Sequence, residues 1–176
     1  MVLLRAKSST TAPPPEAMDG WVHRQRPLAP EASNRAASGL MRLEAWPSWM
    51  AGGAVVFAET VGRPEAGMDI DLHRIILGAP VVERWHVDEV REGASPPFAE
   101  LTLRLVGQSR GSVPVGRAFD GLLLRLTVLA EAEGGVEAAV LWQPRGVHRL
   151  LGRRLRSDVL RLMERWLDDL SSAAEA

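Results

Sequence analysis

Arg74, Glu83, Asp120 and His148 are the side chains whose types and positions could do chemistry in this sequence. An arginine can hold a carbonyl or an oxyanion, a carboxylate can take a proton, and a histidine can act as acid or base near neutral pH. Phase along the chain singles them out. In 68–77, Ile70 and Leu72 place an apolar face on even positions, and Arg74 continues it. In 81–90, Val81, Trp85 and Val87 form an inward set that draws Glu83 with it. In 122–130, Leu122, Leu124, Leu126 and Val128 alternate inward. The same parity reaches back to Asp120 if no bulge at Gly121 interrupts it. His148 lies seven residues before Leu155, near the apolar stripe of a C-terminal helix. An unpaired charge on an apolar face is costly, so such groups are paired, neutralised or wet. Two readings stay open. The groups sit near strand ends and reach water, or they form a polar patch in a ligand cavity.

Other chemistry has less support. Asp69, Asp71 and His73 alternate in "DIDLHR", but that face should point to solvent and the four histidines are scattered. The expectation is no metal and no cofactor. No P-loop, G-x-G-x-x-G or G-x-S-x-G occurs. The last helix carries Arg149, Arg153, Arg154, Arg156, Arg161 and Arg165, interrupted by Asp158, Glu164, Asp168 and Asp169. With a formal net charge of -1, this reads as a solvated face rather than a nucleic-acid surface.

The elements that must position these groups come from one domain's worth of chain. The 176 residues are 46% hydrophobic and 24% charged, enough for a core. Cysteine is absent, which removes disulfides and thiolate metal sites and fits a cytoplasmic protein. Tyrosine is absent too, so no phenol can act as acid, base or oxyanion donor. The apolar run in "MVLLRAK" is too short for a secretory signal, and no stretch approaches a membrane span. Residues 1–19, with "SSTTAPPPEA", read as a disordered tail, residues 20–171 as one domain, and 172–176 as a frayed end.

Within the domain, 21–29 reads as a strand and 30–46 as a short or broken helix stopped by Pro47. Six further strands follow at 54–61, 68–77, 81–90, 98–106, 122–132 and 136–143. "EGG" marks a hairpin turn between the last two. Residues 147–170 read as one long helix with Leu155, Val159, Leu162, Met163, Trp166 and Leu170 on a single stripe. That stripe needs a large apolar partner, and the sheet is the one available.

This order resembles the START-like proteins, the polyketide cyclase/dehydrase and lipid transport group. The resemblance runs from Trp21 to Leu170 and rests on "LAPEA", "AWPSWM", "GRPEAGMDI" and "WQPRG" in sequence. "SNRAASG" in the first helix departs from the bulkier apolar residues common there. The resemblance implies an α+β helix-grip fold: a curved seven-stranded antiparallel sheet wrapped around a long C-terminal helix, with short helices after the first strand. It implies a cavity between sheet and helix that takes a hydrophobic small molecule. The expected lining is Trp46, Trp49, Leu72, Trp85, Leu103, Leu122, Leu124, Trp142, Gly152, Leu155 and Val159. Trp46 and Trp49 would close one end, either as a core plug or against ligand. The alternative function is a polyketide cyclase or aromatase, with Arg74 on a carbonyl, Glu83 or Asp120 as base and His148 as acid or base. The expected partner is the hydrophobic ligand, with no nucleic acid and no membrane insertion, for a monomer or homodimer.

Overall fold

The alternating segments pair into one antiparallel sheet. The computed structural model describes residues 21–50, 61–76, 79–94, 97–111, 118–129 and 134–176, with short strands at 55–58 and 113–114. The tail expected at 1–19 lies outside the described residues. In chain order the elements are β1 (Val22–Pro27), α1 (Pro30–Leu40), a 3-10 turn (Leu43–Ala45) and α2 (Trp46–Trp49). Then come β2 (Val55–Ala58), β3 (Asp69–Ile76), β4 (Ala79–Ala94), β5 (Pro97–Arg110) and β6 (Val113–Pro114). β7 (Phe119–Leu129), β8 (Gly135–Pro144), a second 3-10 turn (Gly146–Leu151) and α3 (Gly152–Glu175) complete the chain.

The sheet order is β1-β8-β7-β5-β4-β3-β2, with β6 paired to β5. The expected count of seven is corrected. Six strands of 6 to 16 residues carry the sheet. Two short ones, β2 and β6, are added to them. The stretch after Val106 looks like a polar loop in sequence. In fact Gly107–Arg110 continue β5, because β4 opposite them, Val81–Arg84, offers a full row of backbone partners. The β4–β5 ladder slips twice: Val106 of β5 is the extra residue opposite Arg84/Trp85, and Asp88 of β4 is the extra residue between Val87 and Glu89. Bulges bend and twist a strand, which is how a sheet comes to curve over a helix.

α3 lies against the inner face. It touches β8, β1, α1 and α2, burying Leu155, Val159, Met163, Trp166, Leu167 and Leu170. The spacing follows the 3.6-residue period expected of a one-sided helix. Two corrections concern its ends. The α-helix starts at Gly152, not 147, because residues 146–151 wind as a 3-10 turn after Gly146 at φ +48°. It does not fray at 172–176: it runs to Glu175, Ala174 is buried, and Arg35 donates to the Ala174 carbonyl at 2.7 Å.

The first helix is unbroken over Pro30–Leu40 despite Ser33, Asn34 and Gly39. Pro47 is corrected from a stop to a start. It sits in the first turn of α2, where proline lacks no needed donor. One glycine is required by contact: a Cβ on Gly135 would lie 2.4 Å from the Arg26 carbonyl of β1.

On the outer face, the residues that resembled metal ligands are engaged across the β3–β4 hairpin. His86 Nδ1 lies 2.7 Å from Asp69 Oδ1. Arg84 donates to both Asp71 oxygens at 2.7 Å. Among the described residues, no group of three or more metal-ligating side chains forms. The Arg84 hydrogen bonds hold the Asp71 carboxyl below its ordinary 3.8, with partial burial opposing. A depressed carboxyl stabilises the fold above its unfolded value and loses that contribution as pH falls through the folded value. Arg84→Ala should therefore cost about 0.5 kcal/mol at pH 7, as for a partly exposed pair. The difference from wild type should vanish in urea unfolding near pH 2. A difference that persists there would assign it to packing of the arginine stem.

Candidate functional site

The β3–β4 register sets the site. Leu72 pairs with Glu83, Ile70 with Trp85, and Arg74 with Val81, so all six share the inner face. Arg74 Nε lies 3.3 Å from Glu83 Oε2, and the two side chains are 6% and 5% exposed. Sequence phase alone placed both groups inward, and the structure brings them together.

Glu83 is well supplied with donors. Trp85 Nε1 donates to Oε2 at 3.4 Å and Gln108 Nε2 to Oε1 at 3.3 Å. Arg74 is not so well supplied with acceptors. Its guanidinium stands 5.4 Å from the Trp166 ring centroid and 3.9 Å from Met50 Sδ. Burial pulls the guanidinium below its ordinary value, Arg165 acts the same way, and Glu83 and Asp169 oppose them. Arg74 Nε makes no aligned hydrogen bond even to Glu83, and Trp166 Nε1 is buried without a partner. Trp166 Nε1 is thus a buried N–H donor without an acceptor, a state that costs on the order of 1–3 kcal/mol. It belongs to the ring against the Arg74 guanidinium, whose Nε meets Glu83 without alignment.

Around the pair lies a tryptophan cluster. Trp166 packs edge-on against Trp46, Trp49 and Trp85 with centroids 5.7, 6.0 and 5.8 Å apart. Trp46 and Trp49 lie 5.8 Å apart. Their indole nitrogens donate to the Leu40 and Gly39 carbonyls at 3.0 and 3.3 Å, tying α2 back to the end of α1. So "LEAWPSWM" places two aromatics beneath the sheet, not on a rim. Arg74 also borders an outer cleft of about 410 Å3, with Ile75, Pro80 and Val81, at the closed end of the β3–β4 hairpin.

Leu72, Leu103, Leu122, Leu124, Trp142 and Val159 join the same core as the tryptophans, and Leu155 is buried on α3. Three expected site residues fall elsewhere. Asp120 is exposed and pairs with Arg145 at 3.5 Å. The register slips between Phe119 and Gly121, so the parity read back from Leu122 fails there. His148 sits in the 3-10 turn, where the seven-residue spacing to Leu155 no longer means one face. Gly152 is exposed at the first residue of α3, on a second cleft shared with Trp142.

Three contributors were not singled out as site residues: Trp166, Gln108 and Met50. Trp166 was visible as a stripe residue. Gln108 was hidden because its strand looked like a loop. Met50 had no signal.

No protein-family model matches the chain, and no curated protein matches it. Solved structures do. A ginseng major latex-like protein from Panax ginseng aligns with TM-score 0.59 and 12% identity over 88% of this chain and 97% of that one. A START superfamily protein from Mycobacterium smegmatis aligns with TM-score 0.53 and 18% identity over 88% and 97%. The Zhui aromatase/cyclase from Streptomyces sp. R1128 aligns with TM-score 0.62 and 11% identity over 89% and 93%. At these identities the likeness is one of fold. The chain has the START-like helix-grip fold, α+β, with an antiparallel sheet and a long C-terminal helix.

Proposed function

We propose that the protein binds a hydrophobic small molecule, lipid- or polyketide-like, between the sheet and α3, with an acceptor oxygen of the ligand held at Arg74. The observation that carries this reading is the set of incompletely satisfied buried donors: Trp166 Nε1 has no acceptor, and Arg74 Nε meets Glu83 Oε2 at 3.3 Å without an aligned hydrogen bond. An apolar interior with a few convergent polar groups is the usual form of a small-molecule site. A carboxylate or carbonyl oxygen would satisfy the guanidinium, and the leucines and tryptophans would take the hydrocarbon. The tryptophans pack closely in the present arrangement, so entry requires α2 or the β3–β4 end to move.

A second reading draws on the likeness to an aromatase/cyclase. It keeps Arg74 to polarise a carbonyl and Glu83 as base, and loses Asp120, which is exposed, and His148, which lies half-buried in the second 3-10 turn. With only the pair left, holding a chain in a reactive shape would be its main device.

One experiment addresses both. A long-chain fatty acid and its matching alkane are titrated while tryptophan emission is followed. The expected result is saturable one-to-one quenching, with the acid bound roughly tenfold or more tightly, as a hydrogen bond to a charged group permits. Equal affinity for acid and alkane would remove Arg74 from the reading. No binding across a broad panel would make the interior a filled core. A poly-β-ketone incubated in parallel should give the same products with and without protein; a changed product distribution would favour the cyclase.

A further inference from the structure

The junction of the second 3-10 turn and α3 is built against its own electrostatics. Between Glu137 and Asp158 there is no acidic residue, while arginines stand at 145, 149, 153, 154 and 156. α3 is 24 residues long, has no side-chain N-cap and has no acid in its first turn. The amino end of a helix is positive, so cations there are unfavourable. Asp158, the nearest acid on the helix, is paired with Arg161. Arg145 pairs with Asp120, and Arg149 donates to the Pro144 carbonyl at 3.3 Å. Among the described residues, Arg149, Arg153, Arg154 and Arg156 have no acidic partner. Three of them line a cleft of about 600 Å3 with Trp142 and Gly152.

The same segment exposes its apolar side chains. Leu150 is 88% exposed, Val147 75% and Leu151 49%. A single exposed leucine is ordinary. Three large apolar groups within five residues, ringed by unpaired arginines, are not. A free anion would answer the arginines and leave Leu150 and Val147 in water. A surface that is both anionic and oily answers both.

We propose that residues 145–156 dock the protein on an anionic lipid bilayer, with the arginines at the headgroup level and Val147, Leu150 and Leu151 in the interface. No described helix is long and apolar enough to cross a membrane, so the contact is peripheral. Each arginine brought to such a surface strengthens binding roughly fivefold, and salt weakens the effect. The proposal does not depend on whether the interior takes a ligand.

The test uses the full chain and co-sedimentation with vesicles, either phosphatidylcholine alone or phosphatidylcholine with about a quarter phosphatidylserine. The expected result is binding to the mixed vesicles at low salt, loss at high salt and little binding to phosphatidylcholine alone. Arg153→Glu with Arg156→Glu should weaken binding by roughly 30-fold or more, and Leu150→Ser several-fold at unchanged charge. All three side chains are exposed, so circular dichroism should match wild type. The idea is overturned by absence of binding to mixed vesicles, or by binding that the double variant leaves intact. It is also overturned if Leu150→Ser has no effect and millimolar inorganic phosphate competes fully, which would mark a soluble-anion site. Preferential capture by polyglutamate over vesicles would assign the patch to an acidic protein instead.

Discussion

Trp166→Ala should lower the free energy of unfolding by roughly 3–5 kcal/mol, the range for deleting a large buried aromatic. The residue is 1% exposed and stands at the centre of its cluster. Its ring meets Trp46, Trp49 and Trp85 at once, and the Arg74 guanidinium lies against it. Three aromatic contacts of about 0.5–1.5 kcal/mol each are lost beyond the buried area itself. The cation beside Trp166 also loses its facing ring. Domains of this size are stable by only about 5–15 kcal/mol, so the variant should be close to its unfolding limit. Trp166→Phe keeps a ring and should recover much of the loss. Leu162→Ala, half-buried on the same helix, should cost clearly less. The measurement is urea unfolding followed by far-ultraviolet circular dichroism, because emission would change with the removed indole. A loss below about 1 kcal/mol would mean that the neighbours collapse into the space and that the cluster is loosely packed.

That cluster shows both the reach and the limit of reading phase from sequence. Arg74 and Glu83 were legible because Ile70 and Leu72, and Val81 and Trp85, fix the inner face of two strands over unbroken pleat. Their mutual contact was not legible. It depends on the β3–β4 register, which places Leu72 opposite Glu83 and so sets Arg74 diagonally across from it. Asp120 was misplaced for the complementary reason. One slipped position at 119–121 inverts every parity read through it, and Gly121 marks where a bulge can form without fixing that one does. His148 failed on helical phase, since a 3-10 turn advances 120° per residue rather than 100°. The long helix and the meander came through because each repeats its period over many residues. α2 did not, because a four-residue helix has no period to read, and Pro47 is as compatible with a first turn as with a stop.

The Arg74–Glu83 pair makes the sharper test, because a structural pair and a ligand-holding pair answer substitution differently. Glu83→Leu should be severely destabilising, by roughly 3–5 kcal/mol, since it leaves the guanidinium buried against Met50 Sδ and the Trp166 face without its carboxylate partner. Arg74→Met should cost less. Glu83 then keeps the Trp85 and Gln108 donors, whereas the guanidinium in the other variant keeps no aligned oxygen acceptor. The double variant, with both charges replaced by apolar groups of similar length, should return to within about 1 kcal/mol of wild type or exceed it, because neither desolvation penalty remains. Urea unfolding of the four proteins closes the cycle, and a double variant as weak as the worse single one would show that the pair holds the hairpin for its own sake. The same double variant then isolates function. It should bind the alkane as wild type does and lose the preference for the fatty acid, since hydrophobic burial survives and the guanidinium does not. A folded double variant that still prefers the acid would place the ligand's oxygen elsewhere in the molecule.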